Sequence, residues 1–193
     1  MRLNRLLPIA LIAGLASPAA AQTVDGAIAD DMLFSTSGVS VTVFNLPMLS
    51  EQDKLVLGEI AKQQKYYGAV AISPDEGLMA EPTLAAANYH AIPPAEAAAR
   101  AACDKARKPG SARCVIAAHI RPAGHAARPL QLSVDATAGF RTSWEGAGPK
   151  ALAISPATGE WALARGQGAG EVARSECNKK AKGARDCTIA IAE

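Results

Sequence analysis

Two stretches of the chain read almost alike, and they constrain its fold more than any other feature. Residues 68–77 read GAVAISPDEG and residues 150–159 read KALAISPATG. Each stretch is followed by an Ala-rich segment, a Cys, a polar loop, a second Cys and a short apolar run. Similarity of this kind within a chain indicates that one supersecondary unit occurs twice. The sequence therefore predicts a tandem duplication, with a first unit at 67–121 and a second unit at 149–193.

Each unit is predicted to fold as strand, strand, helix and strand. The runs 69–73 and 151–155 are apolar and stop at a Pro, which has no N–H group for a further ladder bond. Gly77 and Gly159 then suit a turn, because Gly adopts positive φ without steric cost. The later elements are expected at 78–80, 95–108 and 114–120 in the first unit and at 160–164, 171–182 and 187–192 in the second. The first unit carries about eight extra residues, which we place at 85–93.

The four cysteines fall two to a unit, and their spacing favours disulfides. Ten residues separate Cys103 from Cys114, and nine separate Cys177 from Cys187. Zinc sites usually have Cys residues roughly two to four positions apart, and redox-active pairs read C-x-x-C. We therefore predict no metal site, and we predict the bridges Cys103–Cys114 and Cys177–Cys187, each joining a helix to the strand after it.

The first 21 residues have the pattern of a secretory signal peptide. Arg2 and Arg5 form a basic start, the stretch Leu6–Ala16 is apolar, and three alanines precede a cleavage site after Ala21. No apolar run reaches the roughly 18 residues that a membrane-spanning helix needs. The sequence predicts an exported protein, periplasmic or secreted, in which the cysteines oxidise.

Charge is divided unevenly along the rest of the chain. Residues 22–99 hold ten acidic and three basic side chains, whereas residues 100–193 hold eight acidic and fifteen basic ones. Opposite charges on the two halves favour one compact body. A basic half could instead bind a polyanion or an anionic lipid surface, although its basic residues are scattered. Since the two halves balance, nucleic-acid binding is not expected.

An N-terminal segment at 22–66 and a connector at 122–148 complete the organisation. The segment is expected to hold a short helix at 25–34, an alternating strand at 39–46, and a helix that opens at a capping box and runs to about residue 64. Leu55, Ile60 and Ala61 are placed on one face of that helix. The connector is expected to hold a strand at 130–134 and a loop or short helix at 135–144.

The predicted fold class is α+β. It consists of two pseudo-repeated strand-strand-helix-strand units with a disulfide each, plus an N-terminal strand-helix segment. The strands are expected to form an antiparallel sheet that is packed by helices. Aromatic residues make up only 4% of the chain, so its core must be built from small side chains.

The run GAVAIS at 68–73, the turn at Gly77, the helix with Cys103 and the run CVI at 114–116 resemble a known family. This is the bacterial exported domain of unknown function 4189 family, and both units are similar to it. Tyr66 and Tyr67 supply the aromatic residue that precedes the first strand in that pattern, whereas the second unit lacks it. The resemblance implies export and a disulfide-stabilised fold, and it implies no established chemistry.

The whole chain also resembles proteobacterial exported proteins that sometimes carry an automatic label of 5-aminolevulinate synthase. That enzyme class needs a Schiff-base Lys, an acidic partner for the pyridoxal ring nitrogen and a phosphate cradle, in a large two-domain fold. The sequence shows none of these features. We expect no such activity and predict no cofactor.

The insertion of the first unit contains the residues that we consider for binding. Asn88, Tyr89 and His90 lie in it, and an exposed loop on a rigid scaffold can form a binding edge. His119 and His125 could approach each other across a turn, but their spacing fits no metal motif. The glycines at 166–170 are interpreted as a linker rather than a phosphate loop, because the G-x-G-x-x-G spacing is incomplete. Carboxylates at 75, 76 and 81 could pair as a glycosidase requires, but nothing in the sequence brings them together, and they are interpreted as solvated.

These observations favour a non-enzymatic exported binding or interaction module, with an envelope protein or polymer as its partner. The alternative is a small exported enzyme that acts on an envelope component, with the loop of His90 near its site. A cavity that holds His90 together with a carboxylate would favour this alternative. An inhibitor or structural protein is a third hypothesis.

Overall fold

Eight strands form two separate four-stranded sheets in the part of the chain that the structure describes, residues 23–193 of a computed structural model. The predicted signal peptide lies outside the described residues. The strands are β1 (Val24–Asp25), β2 (Val39–Val43), β3 (Gly68–Ile72), β4 (Leu84–Ala86), β5 (Val115–Pro122), β6 (Lys150–Ile154), β7 (Trp161–Arg165) and β8 (Thr188–Ala192). Five helices accompany them in the same residues: α1 (Gly26–Met32), α2 (Glu51–Lys62), α3 (Ile92–Ala106), α4 (Val134–Ser143) and α5 (Ala169–Lys180).

The two sheets are built on the same plan. Their strand orders are β2-β5-β3-β4 and β1-β8-β6-β7, so each sheet holds the three strands of one unit and one strand from the N-terminal segment. β2 runs antiparallel to β5, whereas β1 runs parallel to β8. The α+β class with strand-strand-helix-strand units is confirmed. The expected single antiparallel sheet is wrong, because the three strands of each unit form a separate sheet and pair with a different N-terminal strand, β2 in the first sheet and β1 in the second.

The similar sequence stretches adopt the same local geometry. Pairing of the first and last strands of each unit shifts register between Val70 and Ala71 and between Leu152 and Ala153, which are equivalent positions of the two stretches. In both turns the Gly N–H donates to the carbonyl of the Ser four residues earlier, at 3.1 Å. The shared residues therefore specify both a bulge and a turn.

Small and large side chains alternate along the strands, so the two faces of each sheet pack differently. One face of β3 and β6 presents alanines, against which α3 and α5 bury further alanines and a Cys each. The opposite faces present larger side chains, which pack with α2 in the first sheet and with α1 and α4 in the second. Small side chains let a helix approach the sheet closely, but each buried methyl group contributes little hydrophobic free energy.

Disulfides join each of these helices to the following strand. The bridges Cys103–Cys114 and Cys177–Cys187 are present, which confirms the predicted pairing. The residue after the first Cys adds a second link in each unit. Asp104 Oδ1 accepts a bond from the Cys114 N–H at 2.9 Å, and Asn178 Oδ1 accepts one from the Cys187 N–H at 3.2 Å. Two disulfides indicate an oxidising, non-cytoplasmic compartment.

The expected returning strand at 78–80 is wrong. The chain makes two further turns after Gly77, with the Ala80 N–H bonded to the Gly77 carbonyl and the Thr83 N–H bonded to the Ala80 carbonyl. The strand forms at β4 instead. Pro82 has no N–H group and is disfavoured inside a ladder, so most of the extra residues precede β4 rather than follow it.

Two local predictions fail and one succeeds. No strand forms at 130–134, because Ser133 caps α4 by accepting a bond from the Ala136 N–H at 3.2 Å. The capping box at Ser50 and Asp53 is confirmed. Leu55 and Ile60 lie away from the core and are 66% and 49% exposed, since α2 turns Leu57 and Ala61 toward the sheet.

Replacing either cysteine pair by Ser should lower the free energy of unfolding by about 3 kcal/mol, because each bridge closes a loop of about a dozen residues. For a chain of this size the melting temperature should fall by roughly 6–12 °C. Thermal denaturation of the Cys103→Ser/Cys114→Ser and Cys177→Ser/Cys187→Ser proteins measures this. An unchanged melting temperature after reduction of the natural protein would contradict it.

Candidate functional site

The loop between β4 and α3 packs against the connector and the second unit, and we call this contact region the joint. Asn88, which has a positive φ of 67°, donates from Nδ2 to Asp135 Oδ2 at 3.0 Å. Its Oδ1 accepts a bond from the Asp135 N–H at 3.2 Å, so the amide caps the start of α4. The Tyr89 N–H donates to the Tyr67 carbonyl at 3.1 Å. The loop expected to be exposed is therefore docked against the connector.

His90 is buried at this joint, with 3% of its surface exposed. Its Nδ1 accepts a bond from the Ser133 N–H at 3.0 Å, and its Nε2 lies 3.2 Å from the Glu160 carbonyl. A backbone N–H can only donate, so Nδ1 carries no proton and Nε2–H is the donor to Glu160. Burial lowers the pKa of His90 to about 4. At neutral pH a neutral imidazole bridges the connector and the second unit.

The turn of the second unit packs closely on the same loop. Gly159 has a φ of 76°, and a Cβ atom there would lie 2.6 Å from the Asn88 carbonyl oxygen and 3.0 Å from the Tyr89 Cα. At the equivalent Gly77 the φ is 84° and a Cβ would meet nothing within 4 Å. Gly159 is thus required both by the conformation of its turn and by the contact with the loop, whereas Gly77 is required by the conformation of its turn alone.

A cavity of about 520 Å³ lies beside this joint. Its walls come from the start of α3, the connector, the turn after β6 and the strand β8. This volume is within the range of small-molecule sites, roughly 300–1,000 Å³. The lining residues are His90, Ala91, Pro94, Pro129, Leu130, Gln131, Ile154, Pro156, Ala157, Asp186, Thr188 and Ala190.

Asp186 is the one carboxylate among these lining residues. Its Oδ1 accepts a bond from Ser155 Oγ at 2.6 Å, and its Oδ2 accepts one from the Ala157 N–H at 2.8 Å. The residue directly precedes Cys187, so the disulfide fixes the chain from which it projects. These bonds hold the carboxylate beside an otherwise mainly apolar space.

The cavity holds His90 together with a carboxylate, the arrangement that would favour the enzymatic alternative. Both imidazole nitrogens are nevertheless bonded to backbone groups, and the pKa of His90 is lowered to about 4. A general base must offer a free nitrogen lone pair within hydrogen-bond reach of the substrate proton. In this arrangement neither imidazole nitrogen is free to accept a proton from a bound molecule.

Of the three residues considered from the sequence, His90 lines the cavity, whereas Asn88 and Tyr89 do not. Their role in binding stays a prediction. Asp186, Gln131 and Thr188 were not singled out from the sequence. One signal in the sequence points to Asp186. The residue before the second Cys is Arg113 in the first unit and Asp186 in the second, so the charge at this position differs between two otherwise similar units.

The other histidines lie in different surroundings. His119 projects from β5, where its Nε2 contacts Glu96 Oε1 of α3 and its Nδ1 accepts a bond from the Arg121 guanidinium at 2.9 Å. His125 stacks on Phe34 and meets Tyr67 edge-on. Within residues 23–193 no three His, Cys, Asp or Glu side chains converge closely enough to hold a metal ion.

Two of the three remaining candidate carboxylates make structural contacts, and the third, Glu81, is exposed. Asp75 Oδ2 accepts a bond from the Ala112 N–H at 2.7 Å, and Glu76 Oε1 accepts one from the Lys108 N–H at 3.0 Å. Both carboxylates thus fasten the disulfide loop of the first unit. Gly168 provides the N-cap of α5, with a φ of 75°. Over the described residues, no helix combines the length and the apolarity that crossing a membrane requires.

Comparison of the chain with protein-family models, with curated proteins and with solved structures gave no match. The site is therefore interpreted from its own geometry.

Gly159→Ala should cost about 2–4 kcal/mol of unfolding free energy, because left-handed strain adds to a clash with the Asn88 carbonyl. Gly77→Ala is the matched control at the equivalent turn position and should cost about 1 kcal/mol from strain alone. Urea denaturation of both variants measures the difference. Equal costs would show that the turn of the second unit does not press on the loop.

His90 should make stability depend on pH. Its folded pKa lies below the unfolded value, so below about pH 6.5 the unfolded chain binds a proton that the folded chain excludes. The contribution is complete above pH 6.5 and is lost as the pH falls toward 4. Between pH 7.5 and 4.5 it amounts to about 2–3 kcal/mol.

The variant His90→Gln separates this effect from acid effects elsewhere. It should be less stable than the natural protein at pH 7.5, because two buried bonds are disturbed. Its loss of stability between pH 7.5 and 4.5 in urea denaturation should be smaller by those 2–3 kcal/mol. The same pH dependence in both proteins would be inconsistent with a buried neutral His90.

Proposed function

We propose that the protein is an exported, disulfide-stabilised binding module whose ligand is a small, mainly apolar molecule of the cell envelope. The observation that carries the proposal is the cavity of about 520 Å³, which lies between the loop that precedes α3, the connector and the second unit. Its walls are mostly apolar, and a few polar groups converge on it, which is the usual character of a small-molecule site.

The rigid surroundings of the cavity support binding. Asp186 is fixed by two hydrogen bonds and by the neighbouring disulfide, while His90 is fixed by two bonds to backbone groups. A preformed site loses little conformational entropy when a ligand enters. Such a site needs no catalytic set, in agreement with the bonded state of both His90 nitrogens.

Export and duplication belong to the same proposal. The signal-peptide pattern of residues 1–21 and the two disulfides support a periplasmic or secreted protein. Matching strand orders, bulges and turns support the origin of the two units by duplication. The resemblance to the domain of unknown function 4189 family is kept as a proposal on the same residues.

A neutral fluorescent reporter, N-phenyl-1-naphthylamine, should bind the oxidised protein with one-to-one stoichiometry and increased emission. The variant Ala157→Phe should weaken this binding about tenfold or more, because Ala157 is exposed on the cavity wall and a phenyl ring there would take up space that the reporter needs. Fluorescence titration of both proteins measures the effect.

Met79→Phe is the matched control. Met79 is 83% exposed and lines a different cavity, of about 250 Å³, between α2 and the first sheet. The control should leave reporter binding unchanged. Absence of binding to the natural protein, or loss of binding in the control instead of Ala157→Phe, would refute the assignment of the cavity.

A further inference from the structure

The carboxylate in the cavity has no ion-pair partner in the part of the chain that the structure describes. None of the ion pairs found among residues 23–193 includes Asp186. Its two hydrogen bonds come from a neutral hydroxyl and a backbone N–H, one to each oxygen. A carboxylate has about four acceptor positions, so each oxygen retains capacity for another donor.

Within residues 23–193 the remaining walls supply no positive group. The lining residues of this part of the chain include neither Lys nor Arg, and their other polar side chains are the neutral His90, Gln131 and Thr188. An anionic ligand would therefore lose its hydration shell and would meet a negative charge without a partner. A cation would find a fixed, half-buried acceptor.

One feature acts in the opposite direction. α3 begins at the cavity wall, and the N-terminal end of a helix favours anions through its dipole and free N–H groups. Here Pro93 and Pro94 occupy the first turn and have no N–H to offer, and no side chain caps the helix. The full charge of Asp186 then outweighs the partial charge of the helix end.

The apolar walls define the rest of the ligand. Pro94, Pro129 and Pro156 come from three separate segments and present rigid rings to the same space, which Leu130 and Ile154 also line. Rigid apolar walls take up a ring system with little loss of side-chain entropy.

We infer that the cavity selects ligands that combine an apolar ring body with an ammonium group, and that the ammonium pairs with Asp186. The inference rests on the proposed function, since it names the ligand class of that cavity. Binding of the ring body fills the apolar space, and the charged end gives the selectivity.

Three probes with one body test the selectivity: 2-(1-naphthyl)ethylammonium, 2-(1-naphthyl)ethanol and 1-naphthylacetate. Each is titrated at pH 7 against the oxidised natural protein carrying the fluorescent reporter. The ammonium should displace the reporter about tenfold more effectively than the alcohol, and the acetate least of all.

Asp186→Asn should reduce the tenfold preference for the ammonium over the alcohol to about twofold or less. The matched control Asp75→Asn removes the corresponding turn-to-loop carboxylate of the first unit, away from this cavity, and should leave the preference intact. Thermal denaturation measures whether each variant is folded. The order of the three probes on the natural protein tests the ligand class without any variant, and an undiminished preference in a folded Asp186→Asn protein would overturn the assignment to Asp186.

Two failures remain distinct. If the reporter binds and the alcohol or the acetate displaces it as well as the ammonium does, the ligand class is overturned while the cavity keeps its binding role. If neither the reporter nor any probe binds, the proposed function falls and the inference falls with it.

Discussion

The two units depend on a covalent link between a weakly held helix and the strand that follows it. α3 and α5 pack on their sheets chiefly through alanines, and each buried alanine contributes little hydrophobic free energy. The helices approach their sheets closely but bury little apolar surface. The disulfides Cys103–Cys114 and Cys177–Cys187 compensate for the weak packing, because they reduce the conformational entropy of the unfolded chain. The oxidising compartment that these bonds require follows from the same constraint.

The joint between the halves relies on a different interaction, a neutral histidine used as a backbone partner. His90 accepts a bond from the N–H of Ser133, a buried group with no other partner among the described residues, and donates to the carbonyl of Glu160, which also accepts a bond from the Ser155 N–H at 2.8 Å. Burial keeps the pKa of the ring low, so the bridge persists at neutral pH. Around it the close contact at Gly159 and the Asn88–Asp135 pair fix the walls of the cavity.

Local signals in the sequence predicted the elements that depend on neighbouring residues. The capping box at Ser50, the turns at Gly77 and Gly159 and the order of elements in each unit follow from short patterns, and the structure contains them. Failures occurred where an apolar pattern competed with a stronger backbone constraint. Residues 78–80 look apolar enough for a strand, but turns and Pro82 delay it to β4, and Ser133 converts an expected strand into the start of α4.

The sequence alone determined the pairing of the cysteines, the two units and the class of fold, because these follow from residue spacing and periodicity within each unit and from the similarity between the two units. Only the tertiary structure decided that His90 lies inside the molecule and that Asp186 faces an apolar cavity. His90 meets residues 43 and 70 positions away, and the direction of Asp186 depends on a turn 31 positions away. The His90 contacts depend on how the first unit docks on the connector and the second unit, and the direction of Asp186 depends on how the turn after β6 folds onto the disulfide loop. No local pattern encodes either geometry.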